Sequence, residues 1–116
     1  MLRNYRKPLV LAAPKIGLKH PKAVSSVADF APQTRFKPTI SKDFGSSDIK
    51  RLVLCSGKVA FDIEDTLTKQ QESLGHGVRV VRLEELAPFP VNDLRAYMGS
   101  LGKNTQVTWV QEESMN

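Results

Sequence analysis

The stretch Arg51–Leu74, RLVLCSGKVAFDIEDTLTKQQESL, decides the fold. Leu52, Val53 and Leu54 follow one another with no polar break, as in a strand covered on both faces. This predicts a central strand at Arg51–Cys55. Ser56-Gly57-Lys58 interrupts the run, and from Val59 the apolar period changes. Ala60, Ile63, Leu67 and Leu74 share one side of a helix, while Asp62, Glu64, Asp65, Lys69 and Glu72 lie mostly elsewhere. Gly75 and Gly77 are expected to stop that helix. Val78, Val80 and Val81 supply a second apolar run. Strand, glycine turn, helix and strand make a right-handed βαβ unit, so the predicted class is α/β: a three-layer, open, mainly parallel sheet with flanking helices.

Downstream, Val78–Leu83 is the next strand, and residues 84–90 carry the chain over its end. Leu94, Tyr97, Met98 and Leu101 stand at i, i+3, i+4 and i+7, which predicts an amphipathic helix with Asn92 as N-cap and Gly102 as its stop. Gln106–Val110, with Trp109, is a last strand. Upstream, Leu9–Ala13 reads as a strand ended by Pro14, and Lys15–Lys19 as one helical turn before His20-Pro21. Ala23, Val24, Val27, Ala28 and Phe30 predict a short amphipathic helix from Lys22 that ends before Pro32. Phe36–Ile40 is expected to be extended, a small extra strand with Pro38 near a sheet edge. Ser41–Asp48, SKDFGSSD, reads as a polar connecting turn.

A chain of 116 residues has room for a single domain, residues 1–116, and no second core. Its 41% hydrophobic and 25% charged content is ordinary for a globular protein. The lone Cys55 excludes an intrachain disulfide and a thiolate zinc site, and its place in the apolar run fits an inert buried thiol. No apolar stretch approaches the roughly 20 residues that span a bilayer, so no membrane partner is expected. The net charge of +5 is uneven: Met1–Ala28 holds Arg3, Arg6, Lys7, Lys15, Lys19 and Lys22 and no acid. Pro8 and the apolar run after it interrupt any amphipathic transit helix, so the segment is read as folded. With Tyr5 alone among its basic residues it lacks a pattern of interleaved aromatics and any recognition motif, and no nucleic-acid partner is expected.

Candidate chemistry is sparse. Ser56-Gly57-Lys58 has the flavour of a phosphate loop but lacks the longer glycine-rich lead and the hydroxyl residue after Lys58. Its plainer role is to turn strand into helix, with exposed amides that an anion could still reach. His20 and His76 have no second ligand at metal spacing. Glu84-Glu85 and Glu112-Glu113 each follow a predicted strand, where open α/β sheets place ligands. Adjacent carboxylates point in different directions, so neither pair reads as an acid/base dyad. No catalytic or metal-binding residue is assigned.

Five ordered blocks nevertheless resemble the C-terminal region of 2-oxoglutarate dehydrogenase: RKPLVLAAPK (Arg6–Lys15), KHPKAVSS (Lys19–Ser26), RLVLCSGKVAFD (Arg51–Asp62), RVVRLEELAPFP (Arg79–Pro90) and WVQEE (Trp109–Glu113). The 2-oxoadipate dehydrogenases share them. The resemblance implies a domain of transketolase C-terminal type that lacks its last strand and helix, cut at both ends from an oxidative decarboxylase of the tricarboxylic acid cycle. It implies no cofactor in this piece, with thiamine diphosphate and magnesium held by preceding domains. It implies a homodimer that works with dihydrolipoyl succinyltransferase and dihydrolipoyl dehydrogenase, in the mitochondrial matrix of a eukaryote or the cytoplasm of a bacterium. An unpaired sheet edge would also promote self-association of the piece alone. Some bacterial relatives receive acetyl-CoA in this domain, and Arg6, Lys7 and Lys15 are the candidate contacts for its phosphates. The alternative is a stand-alone CoA- or nucleotide-binding regulatory module.

Overall fold

The structure, a computed structural model, describes residues 4–8, 10–12 and 15–112. Four strands form one sheet: β1 (Thr39–Phe44), β2 (Ile49–Cys55), β3 (Gly77–Leu83) and β4 (Gln106–Val110), in the spatial order β1-β3-β2-β4. β2 runs parallel to both β3 and β4, and β1 pairs antiparallel with β3. Helix α1 (Val59–Lys69) connects β2 to β3, and α2 (Val91–Gly99) connects β3 to β4. The two helices cover opposite faces, because strand side chains alternate. Val53, Cys55, Val78 and Val80 face α1 and meet Ala60, Ile63 and Leu67. Leu52, Val81 and Leu83 face the other way, against Leu94, with Tyr97 and Leu101 beside it. The largest fully buried side chains are Leu52, Leu83, Val80, Val81 and Cys55, all from the two central strands. Burying one such aliphatic chain contributes about 1.5–3 kcal/mol, so β2 and β3 hold the three layers together.

Two glycines matter to this geometry. Gly57 has φ +73° and turns β2 into α1, a left-handed conformation that costs glycine little. Gly77 opens β3 where the backbone crowds: a methyl group there would meet Ser46 O at 2.1 Å and Ile49 Cδ1 at 2.8 Å. Its N–H donates to Asp48 O at 2.9 Å, which fixes the entry of β3 beside β2.

The α/β class, the central β2 and the mainly parallel sheet stand as the sequence predicts, as do β4 and the 3₁₀ turn at Lys15–Lys19. Other elements differ. The α1 helix stops at Lys69 and is followed by a 3₁₀ turn at Gln71–Ser73, short of the expected glycines. The second helix starts at Val91 with Pro90 at its N-cap position, so Asn92 is inside it and Gly102 lies beyond its end. Ser41–Phe44, read as a turn, belongs to β1, whose ladder with β3 supplies the order its polar sequence hides. Of the expected strand at Leu9–Ala13, Leu9 and Ala13 lie outside the described residues. Val10, Leu11 and Ala12 pair with nothing in the sheet, and Val10 is 90% exposed. The helix expected from Lys22 shrinks to a 3₁₀ turn at Val27–Phe30 with no buried residue, since no apolar surface receives its stripe. The radius of gyration, 16.4 Å, exceeds the ~13 Å of a compact chain of this size, consistent with this open N-terminal arm.

Candidate functional site

The place where an open α/β sheet presents ligands, the C-terminal ends of its parallel strands, is formed here by Ser56–Lys58 after β2, by Arg82 and Glu84 at the end of β3, and by Glu112 after β4. The turn is held to the neighbouring strand by Ser56 Oγ, which donates to Leu83 O at 3.1 Å. Lys58 Nζ lies 3.1 Å from Glu112 Oε1 and 3.9 Å from Asp62 Oδ2. The hydrogen bond to Glu112 holds the Lys58 ammonium above its ordinary range. A lysine engaged by two carboxylates is a strand-end clasp rather than a free phosphate hook. The structure thus favours the plainer reading of Ser56-Gly57-Lys58.

Arg82 crosses the same edge. Its guanidinium sits 4.9 Å from the Phe61 ring centroid, and its Nε forms an ion pair with the Glu84 carboxylate outside hydrogen-bonding geometry. His20 also lies against Phe61, with ring centroids 4.4 Å apart. His20 Nδ1 accepts the Lys22 N–H at 3.3 Å, and Lys22 Nζ pairs with Asp65 of α1. That bond to Lys22 holds the Asp65 carboxyl below its usual range. His20 is therefore a packing residue on α1, half-buried rather than freely solvated. Sequence reasoning missed the His20–Phe61–Arg82 stack, because its members are far apart in the chain; only the positions of Arg82 at a strand end and Phe61 in the first turns of α1 hinted at it.

Cys55 is fully buried, and burial pushes its thiol up to about 11. Burial and a raised pKa both keep it a thiol near neutral pH, as in an inert structural cysteine. Glu84 and Glu112 are both spent in ion pairs, and Glu113 lies outside the described residues. The candidate anion contacts Arg6, Lys7 and Lys15 are all exposed. Lys7 lies over the Tyr5 ring at 5.3 Å, and among the described residues that follow, Val10–Ala12 join no strand. At the opposite end of the strands a depression of about 220 Å³ is lined by Asp48, Arg79 and Ser100 among others. Arg79 is committed there: its Nε and Nη2 donate to both Asp43 carboxylate oxygens at 2.7 Å, and Nη1 to Ser100 Oγ at 3.1 Å. Among the described residues no three His, Cys, Asp or Glu gather to hold a metal ion, and no helix is long and apolar enough to cross a membrane.

Comparison with known proteins places this scaffold. The sequence model of the family described as 2-oxoglutarate dehydrogenase C-terminal matches residues 24–116. The 2-oxoadipate dehydrogenase complex component E1 of Rattus norvegicus is 43% identical over 120 aligned residues, covering 100% of this chain. The protein of the same name from Homo sapiens is 42% identical, also across 100% of this chain. The 2-oxoglutarate dehydrogenase E1 component of Exiguobacterium sp. is 35% identical over 95% of it. This chain spans 13%, 13% and 12% of those three proteins respectively. The chain belongs to the 2-oxoglutarate dehydrogenase C-terminal family.

Proposed function

We propose that, within this family, the chain is the C-terminal domain of the E1 component of a 2-oxo acid dehydrogenase complex, serving the enzyme by packing rather than by chemistry. The similarity to proteins named E1 components along the whole chain carries this reading. Relatives named for 2-oxoadipate range from 36% to 43% identity, and the Exiguobacterium protein named for 2-oxoglutarate stands at 35%, which favours 2-oxoadipate as the acid decarboxylated. Thiamine diphosphate and magnesium belong to parts of the enzyme outside these residues. The residues present do not fit either group: Lys58 is held by Glu112 and Asp62, and no metal donor set gathers among the described residues.

The partners of this reading are a dihydrolipoyl acyltransferase, dihydrolipoyl dehydrogenase and a second E1 subunit, in the mitochondrial matrix or a bacterial cytoplasm. Support for a packing role comes from β4, which among the described residues pairs only with β2 and leaves Val107 and Trp109 each 47% exposed. An apolar, one-sided edge strand asks for cover. The test uses the whole enzyme containing this sequence, supplied with thiamine diphosphate and magnesium and assayed with a dye electron acceptor. A higher kcat/KM for 2-oxoadipate than for 2-oxoglutarate is expected. The reverse order would assign 2-oxoglutarate instead, and turnover of neither acid would overturn the reading.

A further inference from the structure

Residues 15–37 combine three features that no role given so far absorbs. The segment is attached to α1 by the His20–Phe61 ring contact and by the Lys22–Asp65 ion pair. Its apolar side chains nevertheless point away from the core: Val24 is 77% exposed, Val27 87%, Phe30 78% and Phe36 98%. Its charge is one-sided, with Lys15, Lys19, Lys22, Arg35 and Lys37 against the single acid Asp29. Asp29 is already held by Lys37 at 2.7 Å. A polar tether would not display two phenylalanines and two valines in water, and a core segment would not leave them there.

We propose that residues 15–37 form a clasp, fixed to α1 on one side and covered on the other by an apolar, acid-rimmed surface of the same polypeptide outside this domain. The occupant follows from two observations and rests on the E1 reading above. The match to the rat and human relatives runs across the whole chain, this segment included, yet covers only 13% of each relative. The family match starts at residue 24, inside the clasp, so residues 15–23 belong to the part of the chain that the relatives share outside that match. The acid rim follows from charge, since the cations Lys15, Lys19 and Arg35 have no counter-ion within the segment once Asp29 is taken. The backbone gives a clean readout. Asp29, Ala31 and Thr34 N–H groups bond only to carbonyls three residues back, so an uncovered clasp exchanges its amides quickly.

The experiment is hydrogen–deuterium exchange on the whole enzyme, wild type against the Phe30→Ser, Phe36→Ser double variant. Exchange in residues 24–36 should be slower in the wild type by roughly tenfold or more than in the variant, while peptides from β2 and β3 remain unchanged and report an intact fold. Fast exchange of that segment in the wild type would overturn the clasp. Cross-linking of mixed isotope-labelled subunits through Lys19 and Lys37 separates the occupants: links within one chain support the proposal, and links only between copies contradict it. Assaying 2-oxo acid turnover on the same sample keeps the two readings apart. An active enzyme with an unprotected segment refutes the clasp alone, and an inactive one with a protected segment refutes the E1 reading alone.

Discussion

The β2–α1–β3 unit and the segment before β1 are both supplied with apolar residues, and they end in opposite states. In the first, Leu52, Val80, Val81 and Leu83 are at most 1% exposed; in the second, Phe36 is 98% exposed and Val27 87%. Hydrophobic content does not separate them. A strand is ordered by its ladder and by covered faces, and β2 has a parallel neighbour on each side and a helix on each face. The described residues of the N-terminal segment are tied to α1 by the His20–Phe61 ring contact and the Lys22–Asp65 ion pair. Burial needs a recipient surface, and only the sheet finds one within the described residues.

That contrast can be broken at its strong end first. If the centre is as closed as described, Cys55 in the native chain should react with an aromatic disulfide reagent more slowly than in urea by on the order of 10³-fold or more. Comparable rates would mean an open core. Leu52→Ala should cost about 2–5 kcal/mol in urea unfolding, by lost burial and a cavity between the layers. Gly77→Ala should cost about 1–3 kcal/mol, since its methyl group collides with backbone rather than with a yielding side chain.

The weaker end sharpens the comparison. Asp43 and Arg79 face each other across β1 and β3, and the Arg79 hydrogen bonds hold the Asp43 carboxyl below its usual range. A depressed folded pKa stabilises the fold above the unfolded value of about 3.9. The contribution is lost as pH falls through the folded pKa. Asp43 is half-exposed, so Asp43→Asn should cost less than about 1 kcal/mol at neutral pH. It should also flatten the acid side of the stability profile below about pH 4 relative to wild type. Val27→Ser should change the stability of the 116-residue chain by no more than about 0.5 kcal/mol, and a larger loss would place Val27 in a core.

What the sequence made legible follows the same division. The Leu52-Val53-Leu54 run and the Ala60/Ile63/Leu67 stripe name their own partners, so β2 and β3 could be read with nearly their observed bounds and α1 with its observed start, while its end at Lys69 could not. Only the start of β1, Thr39 and Ile40, was legible, inside the extended stretch expected at Phe36–Ile40; the rest was hidden because Ser41, Lys42 and Asp43 are polar, and an edge strand draws its order from β3 rather than from its own composition. The Leu9–Ala13 run misled for the converse reason: β propensity without a ladder leaves Val10–Ala12 unpaired. At the strand ends, the sequence drew attention to Lys58, Glu84 and Glu112 but favoured plain structural roles for them, and its named anion contacts were Arg6, Lys7 and Lys15. It could not show that Lys58 and Glu112 neutralise each other, a contact that exists only once β4 lies beside β2.

The most direct test is residue-resolved amide exchange on the 116-residue polypeptide by itself. Slowest exchange at Leu52–Leu54 and Val78–Val81, with residues 24–36 exchanging nearly as fast as an unfolded chain, is the predicted result. Protection of residues 24–36 equal to that of β2 would contradict it, because that segment would then have found its cover inside the domain.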